Sequence, residues 1–172
     1  MNLADKQNLR GEVIVTSKDI LTGKVEVLVE DKNLIVLNGR NFIANSLIAG
    51  VCPIINTLAF GTGGTVSGST SQVIAIQPTQ TTLIAPIPNL IMGTDFIFTI
   101  DNSAINTISA SVSPKIVYTV LVPETSALNG LGINEMALMF NTSPATAFSI
   151  KNFSTITKST SIAVSIAWTI YF

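Results

Sequence analysis

Several groups of side chains in this chain are of types that do chemistry elsewhere. The loop Gly61-Thr62-Gly63-Gly64-Thr65 has the small residues that let backbone N–H groups close around a phosphate. Its spacing departs from G-x-G-x-x-G, since Val66 occupies the last position, and it lacks the lysine of a P-loop. A flexible hairpin loop is the simpler reading. Glu26, Glu30 and Asp31 offer the paired carboxylates that glycoside hydrolysis requires. Strand alternation over Lys24–Glu30 sets Glu26 and Glu30 beside Lys24 on a solvated face instead. Asp31 and Asn33 alone do not make a calcium loop. The single cysteine, Cys52, has no histidine in the chain to activate it, so a buried inert thiol is expected. Ser17–Lys18 and Lys158–Ser159 are sequence neighbours, and strand neighbours point to opposite faces, so neither makes a dyad.

The absence of histidine also removes the commonest general base and metal ligand. These residues therefore lead us to expect no catalytic, cofactor-binding or metal site. A net charge of −1 leaves no basic excess for phosphates, which argues against nucleic acid as a partner. The first 32 residues carry charges throughout and no apolar leader core. The most apolar stretch, Leu83–Met92, is cut by Pro86 and Pro88 and is too short to span a bilayer, so no membrane insertion is expected. Aromatics near candidate turns are limited to Phe42, Phe60, Phe96 and Tyr118, a thin basis for stacking a host-surface glycan.

The elements that must position these residues read as β. The chain has 172 residues, of which 47% are hydrophobic and only 11% charged. Its mean hydropathy is +0.54. That is under half the usual charge of a soluble domain, and it excludes disorder. Lys24–Glu30 alternates, with Val25, Val27 and Val29 on one face and Lys24, Glu26, Leu28 and Glu30 on the other. Ile20-Leu21-Thr22-Gly23 before it suits a hairpin connection. Asn38–Gly39 suggests a turn, and Arg40–Ala49 one short helix capped by Asn38 or Asn41 and ended by Gly50 and Pro53. Strands are expected near Ile54–Phe60, Gln72–Gln77, Thr82–Ala85, Phe96–Ile100, Ile105–Val122, Glu135–Phe140 and Ala147–Phe153. In Ser161–Phe172, Ile162, Val164, Ile166, Trp168, Ile170 and Phe172 share one face. Ser161, Ala163, Ser165, Ala167, Thr169 and Tyr171 share the other. The large face belongs in a core, and the small face lets a second layer or subunit approach. The fold class is all-β: a jelly-roll-like β-sandwich with one short helix near residues 40–49.

Charge is unevenly placed. Twelve of the nineteen charged residues lie at or before Arg40, and none lies between Asn41 and Thr94. Monomers usually intersperse charge over their surface, so an uncharged tract of this length suits subunits that cover one another. Residues 1–32 then read as a charged N-terminal arm or edge hairpin, and 33–172 as the β-sandwich domain. Arg10, Glu12, Lys18, Asp19, Lys24 and Glu26 are the candidate interface residues, able to set register with a neighbour through charge pairs.

Read in order, the segments resemble a family of tailed-bacteriophage virion structural proteins. Asn33-Leu34-Ile35-Val36-Leu37-Asn38-Gly39-Arg40-Asn41-Phe42-Ile43-Ala44 is similar to the family's N-L-I-V-x-x-G-R-x-x-I-A strand, turn and helix. Leu58–Thr65 resembles its I-A-x-G-T-G strand and loop. Gly132–Phe140 resembles its I-x-E-x-G-L-x-F strand, with Ala137 where glycine is common. Phe153–Lys158 and Ala167–Ile170 resemble its closing F…K…W-T-I-x-F. Thr81-Thr82-Leu83 resembles a T-x-L, though Ala85-Pro86 stand where an acidic residue usually follows. The resemblance implies a non-enzymatic β-sandwich subunit located in the virion, of the tail, baseplate or appendage-attachment kind. It would have itself, as a homo-oligomer, and other virion proteins as partners. A capsid decoration or head-fibre protein is the nearest alternative, and a carbohydrate-binding β-sandwich module the alternative from another class.

Overall fold

The computed structural model describes residues 9–50, 53–101 and 114–172. Its elements are β1 (Arg10–Asp19), β2 (Val25–Ile35), α1 (Leu37–Ala49), β3 (Ile55–Gly61), β4 (Ile97–Asp101), β5 (Lys115–Val122), β6 (Gly132–Phe140), β7 (Ala147–Thr157) and β8 (Ile162–Tyr171). All ladders between strands are antiparallel, in the order β3-β6-β7-β2-β1-β8-β5-β4. The class is all-β, as the run of Ile, Val and Thr implies. The shape is nearer to a barrel than to two separate sandwich layers, because β2 belongs to both halves. Most of β2 pairs with β1, while Leu34 and Ile35 pair with Ile150 and Ser149 of β7. The two outermost strands approach through side chains: the rings of Phe60 on β3 and Phe96 before β4 meet edge-on with centroids 5.6 Å apart.

The main core lies between the two halves of this folded sheet. Val13 and Val15 of β1, Val120 and Val122 of β5, and Ile166, Trp168 and Ile170 of β8 meet Leu58, Phe60, Met136, Leu138 and Phe148 from the other half. Trp168 is fully buried there. In β8 the large residues from Val164 to Ile170 are buried and their small neighbours only half-buried, the facing expected from period two. Phe172 departs from this and is 37% exposed past the strand's end.

A second apolar layer covers the outside of β6 and β7. Val36, Leu83, Ala137, Met139, Ala147 and Ile150 form it, with Ile76 packed against it. So β6 is buried on both faces from Ile133 to Phe140. The charge-free tract supplies much of this cover. Within it, Gln72–Gln77 and Thr82–Ala85 are not ladder strands. They make only isolated bridges, Thr65 with Val73 and Gly61 with Pro86, and prolines 78, 86 and 88 deny the N–H groups that a ladder needs.

The helix begins three residues before the expected one and has no side-chain cap; Val36 occupies the cap position. Gly50 ends it in the left-handed conformation at φ 67°, as a C-terminal glycine does. Gly39 is not a turn residue. It is the buried position of the helix, and a Cβ there would collide with the Phe148 carbonyl, so glycine lets α1 lie against β7. Phe42 packs edge-on to Phe140 at 4.6 Å and carries the helix into the main core.

Arg10–Lys32 lies within the sheet, so a free arm running from residue 1 to 32 does not describe it. β1 pairs with β8 at ten positions, from Arg10–Tyr171 to Asp19–Ile162. From Val25 to Asn33, β2 has no ladder on its other side among the described residues. That stretch is an edge, and it carries charges and a bulge, both of which discourage edge pairing. Val15 stands opposite Val29 and Thr16 opposite Val27, so Leu28 is the extra residue. The bulge reverses the facing, and Val29 shares the inward face of Val15 while Val25 and Val27 turn outward. The expected single face of Val25, Val27 and Val29 is corrected by this irregularity. Cys52 and residues 105–113 of the expected strand lie outside the described residues.

Candidate functional site

The six charged residues expected to form an interface fall into two groups at opposite ends of the β1–β2 hairpin. At one end, the Arg10 guanidinium lies 4.6 Å from the centroid of the Tyr171 ring, a cation–π contact. The Tyr171 hydroxyl donates to Glu12 Oε2 at 3.0 Å. Burial, and then this bond to Glu12, push the Tyr171 hydroxyl above its ordinary pKa. At the other end, Asp19 Oδ1 accepts from the backbone N–H groups of Leu21 at 2.9 Å and Thr22 at 2.8 Å. The Thr22 bonds, helped by Leu21, hold the Asp19 carboxyl below its ordinary value. Asp19 is thus a turn residue that shapes the hairpin, with Gly23 at φ 71° completing it. Lys24 pairs with Glu26 at 2.5 Å in full solvent, which raises the Lys24 pKa. Lys18 stands on the outward face of β1 opposite Ala163 and Val25. About eight residues of extended strand, on the order of 25 Å, separate the two ends.

The acidic residues do not assemble into a carboxylate pair. Glu26 is opposite Ser17, which faces in, and Glu30 is opposite Ile14, which faces out. Asp31 instead receives Lys151 Nζ at 2.5 Å, and the same ammonium donates to the Lys32 carbonyl at 3.0 Å. This pair lies where β2 departs from β7. Ser149 reinforces the place by donating to the Leu34 carbonyl at 2.9 Å and accepting from Asn33 Nδ2.

The glycine loop is occupied by the protein itself. Glu135 on β6 is fully buried, and its Oε1 accepts from Gly63 N at 3.0 Å and Ala85 N at 2.7 Å. Its Oε2 accepts from Ile84 N at 2.9 Å. Asn134 Oδ1 takes the Gly64 N–H at 2.7 Å, and its amide donates to the hydroxyls of Thr65 and Thr155. A register irregularity between Ile133 and Glu135 accompanies these two adjacent polar residues. The N–H groups that would cradle a phosphate are therefore spent on a carboxylate and an amide of the same chain. A Cβ on Gly64 would strike the Asn134 carbonyl, which accounts for glycine at the contact. Neither Asn134 nor Glu135 was singled out from the sequence; two polar neighbours inside the apolar run Gly132–Phe140 were the signal.

Lys158 is 1% exposed and donates to Asn129 Oδ1 at 2.6 Å and to the Ser159 carbonyl at 3.3 Å. Desolvation lowers its pKa, opposed by the nearby charge of Glu124. The Ser159 hydroxyl bonds with Ser161 rather than with Lys158. Ser17 faces inward and Lys18 outward, so that pair does not meet either. The stem of Lys158 helps line an apolar core cavity of about 20 Å³ with Val15, Phe60, Val122 and Ile166. That is room for one water and too little for a metabolite. Among the described residues no cluster of three metal-ligating side chains occurs, and no helix is long and apolar enough to cross a membrane. Compared with protein-family models, with curated proteins and with solved structures, the chain finds no match.

Proposed function

We propose that this chain is a non-enzymatic structural subunit of a phage particle, a tail or baseplate component that assembles with itself and anchors other virion proteins. One observation supports the reading above the others: the buried polar side chains hold backbone. Glu135, Asn134, Ser149 and Lys151 each bind the main chain of another segment. The phage assignment itself rests on the ordered resemblance over Asn33–Phe172. Of the residues that carry it, Asn33–Ile35 end β2, Leu37–Ala44 lie in α1 with no turn at Asn38–Gly39, and Glu135 lies on β6.

The test is to raise antibodies against the purified chain and label particles with gold. Gold at the tail or baseplate is the expected result. Gold spread over the head would favour capsid decoration. A chain found only in the soluble fraction, never on particles, would overturn the virion assignment.

A further inference from the structure

Among the described residues, no element covers the outward face of β2-β1-β8-β5-β4. Two registered rows cross β1, β8, β5 and β4 without a charge: Ile14–Ala167–Thr119–Thr99, which meets Glu30 on β2, and Thr16–Ser165–Leu121–Ile97, which meets Val27. The residues over β8 are small, whereas Ile14, Leu121 and Ile97 on either side are 39%, 42% and 47% exposed. Val25 and Val27 extend this apolar flank on β2 at 60% and 58% exposure. The hydroxyls of Thr16 and Thr99 already donate to the carbonyls of Ser165 and Thr119. A dry layer over the face would strand neither donor. Five strands and about eight residues per strand give roughly 650 Å² in projection, close to the ~800 Å² per partner of a stable interface.

Charge selects the occupant. Glu12 and Lys18 both lie on this outward face of β1, one on each side of Ile14 and Thr16, about 20 Å apart; Glu12 also accepts from the Tyr171 hydroxyl and stands opposite Lys32 on β2. Lys18 has no ion pair among the described residues. A two-fold axis lying in the interface plane, perpendicular to β1 at the level of Val15, sets Glu12 of each copy opposite Lys18 of the other. It also lays the small residues of β8 over those of a second β8. Stacked sheets lie about 10 Å apart, within reach of a glutamate and a lysine together.

The geometry points to this sheet face as the site where a second copy of the chain docks, face to face about a two-fold axis, with two symmetric Glu12–Lys18 pairs fixing the register. The inference rests on the self-assembly part of the function proposed above and names the surface that carries it.

Sedimentation equilibrium of the full chain tests it, with near-ultraviolet circular dichroism of Trp168 as the check on folding. The wild type should dimerise at micromolar concentration, and Ala167→Arg should weaken the dimer at least tenfold while keeping the Trp168 signal. Glu12→Lys and Lys18→Glu should each weaken it severalfold, and the double reversal should recover the wild-type affinity. Lys18 is exposed, so Lys18→Glu keeps the test alive if Ala167→Arg misfolds. Association unchanged by all the single variants overturns this face while leaving self-assembly standing. A double reversal that fails to recover overturns the two-fold register. A chain that stays monomeric leaves the face to a different protein and overturns both the inference and the self-assembly reading.

Discussion

The half of the sheet centred on β8 and the half centred on β6 consist of similar strands held by different forces. Around β8 the ladders are long and unbroken, with ten register positions to β1 and eight to β5. One face is apolar core and the other has no cover among the described residues. Around β6 the ladders break, between Ile55 and Thr57, Ile133 and Glu135, and Leu138 and Met139. There, loops and α1 cover the sheet; buried Asn134, Glu135 and Asn152 tie the loops down, and Ser149 and Lys151 hold the end of β2. A sheet with one wet face can rely on backbone pairing and a single apolar face. A sheet covered on both sides by irregular chain must satisfy the polar groups of that chain, and it does so with side chains.

The largest effect should come from breaking the polar side of this contrast. Glu135→Ala leaves three backbone N–H groups without their acceptor and should cost about 5 kcal/mol. Urea unfolding followed by Trp168 fluorescence would measure it. A cost under about 1 kcal/mol would mean that the main chain of residues 61–65 and 84–85 is held by packing alone. On the apolar side, Trp168→Ala should cost about 4 kcal/mol, the penalty of a large core deletion. Its indole N–H has no partner among the described residues, so the loss there is of volume and not of a hydrogen bond. Free quenching of Trp168 by iodide in the folded chain would contradict its burial.

The same contrast explains what was legible in the sequence. β8 faces core on one side and solvent on the other, so Ile162–Tyr171 alternates and its facing could be read directly. β6 is covered on both sides, so Met136-Ala137-Leu138-Met139-Phe140 has no period to read. The candidate charges lie on the exposed hairpin, where charge is conspicuous. The residues that hold the β6 half were passed over because Glu135 and Lys151 each stand alone in apolar surroundings. Alternation failed at Leu28 because a bulge leaves no compositional mark in a run of Val and Glu. Gly39 was misread for a related reason: a glycine needed for close approach and a glycine needed for a turn look the same in one sequence.

The seam between the halves gives a smaller, pH-dependent effect. Lys151 is the main cause holding the Asp31 carboxyl below its ordinary value of 3.8, with the Lys32 N–H second. A carboxyl whose folded pKa is lowered stabilises the fold above its unfolded value and loses that contribution as pH falls through the folded one. Asp31→Asn should therefore cost about 1 kcal/mol near neutrality, since Asp31 is largely exposed and partly screened. The gap between variant and wild type should close in acid. A gap that persists at pH 2 would assign the cost to lost geometry rather than to the ion pair.

The smallest expected effect concerns Lys158, which sits where the β8 half receives the end of β7. Its ammonium is buried against a neutral amide, and desolvation lowers its pKa from the ordinary 10.5. In the unfolded chain the same lysine is solvated and keeps its proton to higher pH. Between the two values the unfolded state binds more protons than the native state, so stability rises with pH in that window. Tyr171 acts in the opposite sense, since its hydroxyl is pushed above 10.0, but only at pH values above that. The interval below pH 10 and above the lowered value of Lys158 therefore separates the lysine from the tyrosine. The urea midpoint of the wild type should climb across that interval, and the climb should be absent in Lys158→Met, which fills the same space without charge. If both chains climb alike, Lys158 reaches solvent in the folded protein. The end of β7 would then be as loosely held as the hairpin tip, and the division between a ladder-held half and a side-chain-held half would stop short of Thr157.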